Sequence, residues 1–177
     1  SEGGAYKLTQ HLLSLGHQHI AMLSGPDSVS TSLDRVKGYQ RALKEAGISE
    51  HDIQVYWGEF TQESGIQLAK QALENPNQPT AIFTANNFIA IGAMQYLQTK
   101  GKRVPEDIVI VTFDDIPLSL VVSPFLTAAI QPAREMGQQA AQVLLERIKG
   151  EVDAPSRHLV LPTEIIIRAS SGERIAK

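Results

Sequence analysis

The apolar positions of this chain change period along its length. In residues 5–15, AYKLTQHLLSL, Tyr6, Leu8, Leu12, Leu13 and Leu15 recur at helical spacing, and Gly16 follows where a helix would be capped. HIAMLSG (19–25) is a short apolar run ending in turn residues, which predicts a strand. A helix is predicted over 31–46, with Leu33, Val36, Tyr39 and Leu43 on one face and Gly47 after it. IQVYWGEF (53–60) predicts a strand that breaks at Gly58, 62–74 a helix, and Asn75-Pro76-Asn77 a loop. TAIFTA (80–85) reads as a strand and 88–99 as a helix ended by Gly101. Within the next strand, 107–112, Ile108-Val109-Ile110-Val111 has the unbroken apolar character of a strand covered on both faces.

The order is α, then β-α three times, then β. Alternation at this spacing predicts parallel strands joined by crossover helices, hence an α/β sheet with helices on both faces. After residue 115 the rhythm changes. IPLSLVVSPFLTAAI (116–130) contains two prolines and ends in a predicted strand, 126–130. Pro132 suits the first position of a helix over 133–149, in which Met136, Ala140, Val143, Leu144 and Ile148 share a face. RHLVLPTEIIIRAS (157–170) predicts two short strands around Pro162.

Composition narrows the class. With 177 residues, 42% hydrophobic and 20% charged, the chain reads as one ordinary globular domain with a real core. A net charge of -3 gives nucleic acid no bulk attraction. The absence of cysteine excludes a disulfide scaffold and a thiolate metal site, and suits a reducing compartment. No apolar run approaches the roughly 20 residues of a membrane span. The chain opens without Met, without a signal peptide and almost inside a helix, which predicts a fragment of something longer.

Ligands of open parallel sheets bind outside the carboxyl ends of the strands. Ser24-Gly25-Pro26-Asp27-Ser28 lies after the first strand, leading to a helix that carries Arg35. Glu59 and Phe60 follow the second strand, Asn86 and Asn87 the third, Asp114 and Asp115 the fourth. A guanidinium, an aromatic ring, carboxamides and carboxylates on one rim suit a polyhydroxylated small molecule. Each residue also has a plainer reading. Asp114 could cap a turn with Asp115 solvated, Asn86 could cap a helix, and Arg35 could be a surface ion-pair partner.

Other chemistries fit less well. Adjacent acids on an extended chain point to opposite sides, which is poor geometry for a catalytic pair, so no enzyme and no catalytic residue is expected. A phosphoacceptor domain would want a Lys at a later strand end, where this chain has Ile130-Gln131-Pro132. SGPDS (24–28) lacks the glycine spacing and Lys of a phosphate loop. His11, His17 and His19 have no carboxylate cluster beside them, so capping or surface roles are expected rather than a metal site. No cofactor is implied.

Five stretches carry a resemblance: HLLSLGHQHIAMLSGP (11–26), DRVKGYQRALKEAGI (34–48), PTAIFTANNFIAIGAMQYLQTKGKRVPEDIVIVTFDD (79–115), PFLTAAIQPAREMGQQAAQVLLERIKG (124–150) and LPTEIIIRAS (161–170). Together they resemble the effector-binding domain of the lactose-repressor/galactose-repressor (LacI/GalR) family of bacterial transcription regulators. The resemblance implies a periplasmic-binding-protein-like fold of two α/β subdomains around a ligand cleft, with a helix-turn-helix headpiece before them.

On that pattern residues 1–131 are the C-terminal effector-binding subdomain. Residues 132–158 are a helix and linker of the N-terminal subdomain, and 159–177 are strands and tail that return. The Arg of the family's R-x-x-G-[YFW] falls on Arg35, the aromatic after the second strand on Phe60, the Asn of A-N-D on Asn86, the first acid of F-D-D on Asp114, and the Gln after the last crossover strand on Gln131. Thr31 is a weaker candidate. Two departures are Asn87, where the family usually has Asp, and LTAAIQP (126–132), where it often has two Thr after the Leu.

The implied function is sensing of a small effector, expected to be a sugar, by a cytoplasmic homodimer that touches operator DNA only through the absent headpiece. No membrane partner is implied. The rival is a periplasmic-type sugar-binding protein of a transport system. The helix over 132–149 would also lose most of its packing partner, so its apolar face is expected to repack, swing out or pair with a second copy.

Overall fold

The computed structural model describes residues 1–116, 125–149 and 158–172. Helix α1 (Glu2–Ser14) leads into strand β1 (Ile20–Ser24), followed by α2 (Ser30–Glu45), β2 (Gln54–Trp57), α3 (Gln62–Glu74), β3 (Ala81–Thr84), α4 (Asn87–Thr99) and β4 (Val109–Phe113). Then come β5 (Thr127–Ile130), α5 (Ala133–Ile148) and β6 (Glu164–Ile166), with single 3-10 turns at Glu50–Asp52 and Ala169–Ser171. The linker 150–157 and the tail 173–177 lie outside the described residues.

One six-stranded sheet has the order β2-β1-β3-β4-β5-β6. Strands β1 to β5 are parallel, and β6 runs antiparallel to β5. The expected α/β architecture is therefore present. β1, β3 and β4 are buried along their whole length, as unbroken apolar runs require when helices cover both faces. α1 packs on α2, and α3 on α4. Gly16 (φ 100°) and Gly47 (φ 78°) end α1 and α2 in the left-handed conformation that L-residues avoid.

Glycines also set the distance between paired helices. A Cβ at Gly38 would run into the carbonyl oxygen of Glu2, so α2 lies against the backbone of α1. Gly65 and Gly92 do the same for α3 and α4, facing the carbonyls of Ile89 and Gln62. Tyr39, fully buried, donates its hydroxyl to the Ile20 carbonyl at 2.7 Å and the Gln54 carbonyl at 3.1 Å, which ties α2 to β1 and β2.

Three expectations need correction. Residues 158–163 form no strand; only β6 forms after Pro162. β6 takes the edge of β5, and the segment before it pairs with no strand and lines a hollow beside α5 instead. Leu33 is 40% exposed, because the buried stripe of α2 runs through Ser32, Arg35, Val36, Tyr39, Ala42 and Leu43. His17 is buried rather than on the surface, with its Nδ1 2.9 Å from Thr80 Oγ1.

Helix α5 stands apart. None of its residues is buried, and Met136, Leu144 and Ile148 are 46, 58 and 71% exposed.

Two predictions follow from this packing. Gly92→Ala should cost about 1–3 kcal/mol through overpacking against the Gln62 carbonyl. Gly137→Ala, on α5 with open space around it, should be neutral or stabilising by up to about 1 kcal/mol through helix propensity. Urea unfolding of both variants checks the contrast. The second prediction concerns pH. Burial lowers the pKa of His11 and of His17, and for His17 the charge of His11 lowers it further. The unfolded chain takes up protons near pH 6.5 while the folded chain resists them, so stability falls as pH drops through that value. The denaturation midpoint should be lower at pH 5.5 than at 7.5, and His17→Asn should flatten the slope.

Candidate functional site

Four of the six expected site residues converge on the carboxyl ends of β3, β4 and β5. Arg35, on the second turn of α2, is buried. Its guanidinium lies 3.9 Å over the Phe113 ring, donates from Nη1 to the Ala85 carbonyl and places Nη2 3.5 Å from Asp114 Oδ2. Burial lowers the Arg35 pKa, while the charges of Asp114 and Asp34 oppose that shift. The guanidinium stays ionised at any ordinary pH, so the end of the sheet carries a fixed positive charge.

Asp114 takes the opposite charge to the same place. It is the one non-glycine residue with positive φ among the described residues, at 65°. That conformation costs an L-residue on the order of 1–3 kcal/mol, less for Asp than for most. Three contacts hold it. Its N–H donates to the Ala129 carbonyl at 2.9 Å, Gln131 Nε2 donates to Oδ1 at 2.7 Å, and Arg35 faces Oδ2. The carboxylate remains 33% exposed, with acceptor positions free for a further donor.

Asn86 is a helix cap in the structure, as its plainer reading had it. Its Oδ1 caps α4, accepting from the Ile89 N–H at 2.8 Å, and its Nδ2 donates to nothing among the described residues. It follows Ala85, whose carbonyl binds Arg35, so carboxamide and guanidinium are anchored to one strand end. Phe60 lies further along the rim: its ring covers Gly25, just after β1, where a Cβ would leave it no room. Thr31 is not joined to this group. It is exposed on the first turn of α2 and lines a hollow of about 710 Å³ with Asp34, Gln131, Met136, Val143 and Leu161.

The second acid behaves differently. Asp115 is not solvated: Arg168 binds it with two parallel bonds of 2.7 Å, from Nη1 to Oδ1 and Nη2 to Oδ2. These bonds hold the Asp115 carboxyl below its ordinary pKa and raise that of Arg168. Asn87, at the position where an Asp was the expected pattern, donates Nδ2 to the Asp115 carbonyl at 2.7 Å. A carboxylate could not make that bond. Arg168 was missed by sequence reasoning. The available signal was the one that singled out Asp114, a charge arriving directly after an apolar run.

With this geometry in hand, comparison with known proteins is informative. The family model of the periplasmic binding protein-like domain matches residues 9–171. The chain belongs to the periplasmic binding protein-like domain family. Within it, the chain is 35% identical over 95% of its length to the HTH-type transcriptional regulator CelR of Thermobifida fusca, covering 49% of that protein. It is 39% identical over 96% of its length to the HTH-type transcriptional repressor PurR of Vibrio atlanticus, covering 51%. The chain thus spans about half the length of the curated relatives it matches.

Among solved structures, a LacI family transcriptional regulator from Enterococcus faecium with bound ribose superposes with a TM-score of 0.87 at 30% identity, covering 99% of this chain and 64% of that one. A CelR–cellobiose complex also gives 0.87, at 35% identity, covering 96% and 51%. The resemblance to LacI/GalR regulators is borne out, and these periplasmic binding protein-like relatives are transcription regulators rather than enzymes.

The capping role of Asn86 can be isolated by substitution. Asn86→Asp keeps the capping oxygen and should change stability by less than about 0.5 kcal/mol, while Asn86→Ala should cost about 1 kcal/mol (range 0.5–2). Both remove the free Nδ2 donor. Equal losses of stability in the two variants would refute the cap as the stabilising element.

Proposed function

We propose that this domain senses a hydroxyl-rich small molecule, a sugar or sugar derivative, for a LacI-type transcription regulator. The carrying observation is the division of labour between the adjacent acids. Asp115 is consumed by Arg168, whereas Asp114 keeps a part-exposed carboxylate beside Arg35, Asn86 and Gln131. A fixed acceptor between a fixed cation and carboxamides reads paired hydroxyls. Phe60 extends the set along the rim, while Thr31 lies apart from it on the hollow beside α5. The ribose- and cellobiose-bound relatives support the sugar class. Their identity as regulators favours this reading over a transport-system binding protein.

The remainder follows from the same reading. The domain is a binder with no catalytic role, in a cytoplasmic protein that touches operator DNA through a headpiece beyond this chain. Residues 1–131 and 159–177 form the C-terminal effector-binding subdomain, and residues 132–158 belong to the N-terminal one. The uncovered apolar face of α5 supports that division. The regulator is a homodimer. Phe88 (53% exposed) and the part-exposed Ile91 and Met94 give α4 an outward apolar stripe that a second copy would cover. The effector acts by binding one arrangement of the subdomains better than the other, and only that difference shifts DNA affinity.

The test is a thermal-shift screen of the full-length protein against sugars, sugar phosphates, nucleosides and purines, with Asp114→Ala as control. A ligand at 100 times its Kd stabilises the native state by about 2.7 kcal/mol. A sugar should raise the melting temperature of the wild type and leave Asp114→Ala unmoved. A sugar hit indifferent to Asp114, or hits confined to nucleosides and purines, would overturn the reading.

A further inference from the structure

Asp114 and Asp115 are each gripped by a segment that flanks α5. Gln131, at the exit from β5 into α5, donates to Asp114 Oδ1 at 2.7 Å. Arg168, just after β6 on the return from α5, binds both carboxylate oxygens of Asp115. The guanidinium is itself fixed, since Nη1 also donates to the Leu126 carbonyl at 2.7 Å. The backbone of Arg168 is pinned twice to Thr127: its N–H donates to Thr127 Oγ1 at 2.8 Å, and Thr127 Oγ1 donates to its carbonyl at 2.9 Å. Asp115 is held from two further directions, by Asn87 on its carbonyl at 2.7 Å and by the Ile116 N–H on its own Oδ1 at 2.9 Å. One residue earlier the chain adopts the positive φ of Asp114.

A residue in that conformation persists only where its surroundings over-determine it. The Ala129 and Gln131 contacts act on Asp114 itself, and neither restrains the chain beyond it. Without an anchor at 115, rotation about the intervening bonds would let Asp114 relax and its carboxylate leave the rim. We infer that Arg168 is a positioning residue for the ligand-binding carboxylate. It acts through Asp115, with Asn87 as its auxiliary, to keep Asp114 in the left-handed conformation. The inference rests on the reading of Asp114 as the ligand acceptor, but the positioning can be measured without any ligand.

The experiment is residue-resolved amide hydrogen exchange on the full-length protein, comparing wild type, Arg168→Met, Arg168→Lys and Asn87→Ala. Arg168→Met should accelerate exchange at Asp114, Asp115 and Ile116 by at least tenfold beyond any change in β1 (Ile20–Ser24). Arg168→Lys should fail to restore protection, because one ammonium cannot supply two parallel bonds to a carboxylate. Asn87→Ala should accelerate the same three amides to a smaller extent. Should Arg168→Met not fold, Asn87→Ala decides the matter alone. Unchanged exchange at 114–116, acceleration matched throughout β1, or full rescue by Lys would overturn the positioning role. A failed ligand screen would leave these rates untouched, so the two readings fall separately.

Discussion

The rim of this sheet depends on how a chain leaving β4 is turned at Asp114. Extended backbone would throw successive side chains to opposite faces. The positive φ at 114 breaks that alternation at the point where the strand stops being covered. Two carboxylates then need two counter-charges, and the fold brings them from opposite ends of the sequence, Arg35 from α2 and Arg168 from beyond β6. The pairs are unequal. Two bonds of 2.7 Å use up Asp115, whereas a single 3.5 Å approach leaves Asp114 partly unmatched. An acceptor that is positioned but not saturated is what a binding site requires.

Arg35 can serve only if α2 sits at a fixed height above the sheet. The close contact of Gly38 with the Glu2 carbonyl fixes α2 against α1, and the Tyr39 hydroxyl fixes it against β1 and β2. The floor under the guanidinium is set in the same way. The Phe113 ring lies beneath Arg35, and Gly4 of α1 lies against that ring, where a Cβ would collide. Helix pairing, core packing and the charge at the rim are thus one mechanical chain. A methyl group at Gly4 or Gly38 would act on the Arg35 guanidinium by displacing what supports it.

Much of this was legible in the sequence. The 3.6-residue period in 5–15 and 62–74, the apolar runs at 19–25 and 107–112, and the glycines after helices reported the alternation directly, because local pattern and tertiary burial agree there. The rim residues were legible for the same reason, since polar groups that follow a buried strand must lie at its end. Failures came where a partner distant in sequence decides. Leu33 has core chemistry but lies off the stripe that α2 buries. LVL (159–161) has strand chemistry but joins no strand and lines the hollow beside α5 instead. His17 reads as a surface cap until Thr80, 63 residues away, is placed beside it. Arg168 is an unremarkable charge until Asp115 is set opposite it.

Helix α5 makes the same point in reverse, with good local chemistry and no residue buried by packing among the described residues. Met136, Leu144 and Ile148 are apolar and about half exposed or more, which forgoes roughly 1–2 kcal/mol each relative to full burial. A chain covering half the length of its relatives accounts for such a face without any defect of the sequence. The segments on either side of α5 end on Asp114 and Asp115. Anything that came to cover α5 would therefore bear on the two acids through Gln131 and Arg168. On the proposed reading, a ligand that drew Asp114 toward itself would compete with Gln131 for Oδ1, and so with the exit of the chain toward α5. Competition of that kind is one source of the differential affinity by which a ligand shifts a conformational equilibrium.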